Sequence, residues 1–147
     1  MRSGILSLGT AAVVGTVAAA VYLLAPGDAA VSRGHVLYDK NCASCHGKNL
    51  EGQSDRQSAD ENGRYPAPAH DGSGHIWHHS DAALIACITL GGKAALVQMG
   101  VDFDSGMLAF GDVLHQQEIE DIIAYIESRW PERERAVQAE RSLADDR

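Results

Sequence analysis

The residues best equipped for chemistry stand together in "NCASCHGK", Asn41 to Lys48. Cys42 and Cys45 have the spacing of a redox dithiol, of half a zinc site, or of a haem attachment point, and His46 directly after the second thiol weighs between them. Zinc needs two further ligands in suitable spacing. The remaining cysteine, Cys87, is alone in an apolar stretch, and His35, His70, His75, His78, His79 and His115 are scattered without a ligand-spaced pair. A thioredoxin-like dithiol goes with strands alternating with helices, and no strand pattern is present. C-x-x-C-H is the attachment signature of haem c: the thiols add to the vinyl groups, and the histidine is held under the iron as its proximal ligand. Haem attachment is the strongest of the three readings, with zinc and dithiol chemistry behind it.

Other residues invite a role beside this motif. Met99 and Met107 are the internal methionines, each a possible sulfur ligand for a sixth position on iron. "PAHDGSGHIWHH" brings His70, His75, His78 and His79 close in sequence, and such a group suits copper or another second metal. Loop histidines without regular spacing are more often solvated or bonded to a cofactor's carboxylates. Trp77 suits packing at a cofactor edge, its indole N–H bonded to a propionate. Cys87 reads as a small buried residue.

The elements that must position these groups begin with an uncharged run, Gly4 to Ala25. As a helix it would be about 33 Å long, enough for a hydrocarbon layer of roughly 30 Å. Residues 1–25 therefore read as a signal-anchor or transmembrane helix, with a cleaved signal as the alternative. Arg2 before the span places the remainder of the chain on the outer side. Residues 26–31 read as a linker, and Ser32 as the N-cap of a helix running to Asn41. From Gly47 to His79 no period is sustained, and so long a segment points to a loop packed against something. Ser80 caps a second helix, ended by Gly91 and Gly92, and Gly92 to Leu114 reads as irregular. The third helix is the clearest: Ile119, Ile122, Ile123, Ile126 and Trp130 share one face, and Pro131 ends it. Residues 131–147 read as a charged tail, a solvated or frayed helix. The whole is all-α, with three main helices separated by long loops.

The net charge of −8 argues against nucleic acid as a partner, since phosphate contacts need clustered Lys and Arg. Aromatic residues make up only 5% of the chain, which leaves room for something other than side chains at its centre.

In the order of its motifs the chain resembles the class I monohaem cytochromes c over Ser32 to Trp130. The resemblance rests on Gly34 and Tyr38 before the motif, "CASCH" at Cys42 to His46, "SGMLAFGDVL" at Ser105 to Leu114, and Tyr125 with Trp130 on the last helix. It implies a small cytochrome c fold wrapped around one covalent haem, and a close crossing of first and last helices at Gly34 against Tyr125. It implies Met107 over Met99 as distal ligand, because "MLAF" is similar to the family's M-P-x-F, although Leu108 stands where that family usually has proline. The cofactor-binding set is then Cys42, Cys45, His46 and Met107, with His46 and Met107 as metal ligands.

What the resemblance implies for function is a carrier of single electrons, not an enzyme, exchanging them at the haem edge. Its partners would be redox proteins, a cytochrome bc complex as donor and a terminal oxidase as acceptor in a respiratory chain. With the anchor, the haem domain is expected in the periplasm, held at a bacterial inner membrane. The alternatives are a haem subunit of a periplasmic oxidoreductase complex, or a haem sensor or weak peroxidase if the distal methionine dissociates.

Overall fold

The computed structural model describes residues 26–145 and 147, and the expected membrane helix lies outside them. Among the described residues there are six α-helices and no strand. They are α1 (Pro26–Asn41), α2 (Ala43–His46), α3 (Asp81–Leu90), α4 (Gly92–Gln98), α5 (Gln116–Ser128) and α6 (Glu132–Asp145), with a short 3₁₀ turn at Ile76–His78. None of these helices is long and apolar enough to cross a membrane.

The core is the crossing of α1 and α5. Ile119, Ile122, Ile123 and Ile126 of α5 are buried, as their helical spacing requires, and they meet Tyr38 of α1 at the centre. Gly34 makes the approach possible: a Cβ there would overlap the Asp121 carbonyl oxygen and press on Cβ of Tyr125. The expected pairing of Gly34 with Tyr125 is therefore present. Around it, Arg33 forks onto the buried Asp121 carboxylate at 2.6 and 2.8 Å, and the His35 ring stacks on Tyr125 at 4.5 Å.

Two boundaries differ from the sequence reading. Residues 26–31, expected as a linker, are helical, so Ser32 lies within α1 and does not cap it. Ala29 and Ala30 favour helix, and Val31 is drawn against the core. The stretch after Gly91 contains α4, too short a helix for its period to show. The charged C-terminal residues form a largely exposed helix, as read, but one with contacts the sequence did not announce. Helix α6 docks on the start of α3, where buried Gln138 donates to Asp81, Ser142 Oγ accepts from the Asp81 N–H at 3.0 Å, and Ser80 Oγ donates to Asp145. Polar contacts hold this helix, so apolar periodicity could not have revealed the docking.

Two expected caps are as read. Ser80 Oγ accepts the Ala83 N–H at 3.3 Å, and Gly91, at φ 80°, ends α3 in a conformation that favours glycine. At α5 the unusual cap His115 is supported by Glu118, whose carboxylate accepts the His115 N–H at 2.8 Å.

Candidate haem site

The site begins where α1 stops. Cys42 N–H donates to Tyr38 O at 2.8 Å, continuing the helical bonding, and α2 then carries the cysteine motif through a single turn. This turn puts Cys42 partly in the core and Cys45 at the surface, both as free thiols. Burial pushes the Cys42 thiol up to about 11, with Cys45 adding to the shift. His46, closing the turn, is buried.

His46 has one ring nitrogen committed. Its Nδ1 lies 2.9 Å from the Pro68 carbonyl oxygen. A carbonyl only accepts, so Nδ1 carries the proton. Burial lowers the pKa of His46 despite the opposing effect of that hydrogen bond, so the imidazole is neutral near pH 7 and its lone pair sits on Nε2. A neutral histidine oriented through Nδ1 by a backbone carbonyl is the arrangement metal-ligating imidazoles use.

The loop expected to pack against something first packs against itself. Leu50, only 1% exposed, accepts both the His70 and Asp71 N–H groups at 2.7 and 3.1 Å, while Gly52 N–H returns to His46 O at 2.8 Å. Gly52 has φ 72°, and a Cβ there would strike the Pro68 and Ala69 backbone. The Pro68 carbonyl is thereby held against His46. Trp130 closes the arrangement from the far end of the chain, its indole N–H donating to His70 O at 2.7 Å.

The four loop histidines separate. His70 is buried with its ring stacked on His46 at 3.8 Å, whereas His75, His78 and His79 lie at the surface. Among the described residues no three His, Cys, Asp or Glu side chains gather as a metal site. Burial, together with His46 and His75, pushes the His70 imidazole well down, and its Nδ1 is buried without a partner. Trp77 uses its N–H on Gly74 O at 2.9 Å, so this donor is already engaged within the loop. Cys87 is part-buried in α3, as its apolar surroundings suggested.

The two methionines occupy different settings. Met107 packs against the core, and its carbonyl accepts the Gly92 N–H at 3.1 Å. A Cβ on Gly92 would press on Ser105 and on Cβ of Met107, and one on Gly91 would press on the backbone from Met107 to Ala109. The Gly91-Gly92 pair thus seats the methionine loop as well as ending α3, a second role the sequence reading missed. Met99, at the end of α4, is 42% exposed.

The family model for cytochrome c matches residues 31–130. The chain belongs to the cytochrome c family. No curated protein and no solved structure matches it. As a cytochrome c it carries haem c covalently, and Cys42 and Cys45 have the spacing for the attachment. The residues present fit that group: two free thiols, a buried neutral histidine with Nε2 unspent, and a methionine packed on the same core. A cytochrome c domain is a single-electron-transfer haem protein, and this one is all-helical.

Proposed function

We propose that this cytochrome c is a membrane-anchored electron carrier in which Cys42 and Cys45 hold the haem, His46 is the proximal ligand through Nε2, and Met107 is the distal ligand. The single observation carrying the ligand assignment is the His46 Nδ1 contact with Pro68 O at 2.9 Å, which leaves only Nε2 to offer a lone pair. Bound haem supplies a one-electron ferric–ferrous couple. The protein's own part would be to hold the two ligands: Pro68 orients His46, and Gly91 with Gly92 seats the loop that carries Met107. A haem held by both residues would favour electron exchange over substrate coordination. Histidine–methionine ligation also raises the potential relative to two histidines.

The uncharged run from Gly4 to Ala25 supports retention at a bacterial inner membrane with the haem domain in the periplasm. We read the chain as passing electrons from a cytochrome bc complex to a terminal oxidase. The net charge of −8 suits a partner with a basic docking face. The test is oxidation of the reduced protein by oxidase-containing membranes at increasing ionic strength, preceded by a carbonate wash. The reading expects the protein to stay with the membranes, and expects a domain beginning at Val31 to show oxidation rates that fall with salt more steeply than those of the full chain. Release into the wash, or a domain rate that rises with salt, contradicts it.

A further inference from the structure

His70 is buried where no surface loop histidine needs to be. Its backbone is fixed at both ends, by its N–H to Leu50 O at 2.7 Å and by the Trp130 indole at its carbonyl, also 2.7 Å. Its ring lies on His46 with centroids 3.8 Å apart and planes 22° from parallel. The edge of Tyr38 meets it at 6.0 Å. Tyr38 is itself fully buried and donates its hydroxyl to Gly47 O at 3.1 Å, the residue directly after His46. The contacts form a closed circuit: His46 backbone, Gly47 carbonyl, Tyr38, His70, and back to the His46 ring.

The hydrogen bond from His46 Nδ1 to Pro68 O fixes one corner of the imidazole. Rotation of a ring about the bond from Cβ is broad, however, and a carbonyl accepts over a wide range of directions. A flat surface against the ring face removes that remaining freedom. We propose that His70 is a positioning residue for the iron ligand, its imidazole packed face to face on His46 so as to set the plane of that ring and the direction of the Nε2 lone pair. The inference rests on His46 being the ligand. A histidine at this place leaves Nδ1 buried without a partner, a cost that an apolar side chain would avoid. Leucine would remove both the flat face and the nitrogen, and phenylalanine only the nitrogen.

The test uses the full haem-loaded protein. In the ferrous, diamagnetic wild type, the ring protons of the iron-bound imidazole are displaced by the haem ring current, and they should show nuclear Overhauser contacts to the ring of His70. In the ferric protein, His70→Leu should move the electron paramagnetic resonance g-values and redistribute the haem methyl shifts, while His70→Phe stays near wild type. Absence of the Overhauser contacts overturns the proposal, as does a leucine variant with wild-type g-values. A phenylalanine variant displaced as far as leucine also overturns it, because the nitrogen and not the flat face would then be responsible. If the displaced imidazole proves to be a residue other than His46, the ligand assignment itself falls, an outcome distinct from the other three.

Discussion

The α-carbon of Gly34 rests against the Asp121 backbone so closely that a Cβ would overlap the Asp121 carbonyl oxygen. This relationship sets the spacing of α1 and α5, and through Tyr38 it sets the end of α1 from which the cysteine motif starts. Gly34→Ala should therefore separate the helices and destabilise the fold by about 2–3 kcal/mol, despite alanine's better helix propensity. Denaturant unfolding of the haem-loaded protein checks it, and an unchanged or raised midpoint would count against the close crossing.

The glycine pair at the α3–α4 junction predicts an effect on a residue it does not resemble chemically. In Gly92→Ala the new Cβ presses on Ser105 and on the Met107 side chain. The loop should shift and its grip on sulfur weaken. The expected result is a reduced sulfur-to-iron charge-transfer band, with a loss of stability of about 1–2 kcal/mol. A full-strength band in a folded variant contradicts the seating role.

Glu127 supplies a prediction in pH. It lies in the last turn of α5 against Asp81 of α3, with Oε1 buried and unpartnered, and α6 brings the neutral Gln138 and Ser142 to Asp81. Burial first, and then Asp81, pushes the Glu127 carboxyl up to about 7 from its ordinary 4.5. A raised carboxyl favours folding while it is protonated, so this contribution is complete below pH 4.5 and is lost as pH rises through about 7. Glu127→Gln should remove the dependence and gain about 1 kcal/mol at pH 8, less than the whole shift implies because the group is part-exposed. Unfolding curves at pH 5 and 8 compare the two, and parallel pH dependences would overturn the assignment.

Much of this architecture could be read from residues in order. The α5 isoleucines declare their face because burial imposes the helical period, and Gly34, Ser80 and Gly91 announce positions that only a few residue types suit. The cysteine motif is local, so its chemistry was visible without any fold. What was hidden depends on groups that sequence does not single out. The partner of His46 is a backbone carbonyl 22 residues away, and every residue has one. His70 looked like the other loop histidines until the Leu50 and Trp130 contacts drew it inside. Helix α6 docks through Gln138, Ser142 and Asp145, residues that a hydrophobic pattern scores as surface.

The methionines separate by substitution. Met107→Ala should abolish the charge-transfer band and open the iron to carbon monoxide or cyanide, while Met99→Ala, on an exposed side chain, should change neither. The reverse pattern would transfer the role to Met99. No effect from either variant would remove methionine from the iron altogether.

The central claim is that His46 and Met107 are the two residues on the iron, and proton NMR of the ferrous protein tests it without altering any side chain. With histidine rings and methionine methyls selectively labelled, the haem ring current should displace far upfield the signals of one imidazole and one methyl, and these should assign to His46 and Met107. The Met99 methyl and the remaining histidines should lie near ordinary positions. Displaced signals that assign to Met99, or to His70 in place of His46, would contradict the account.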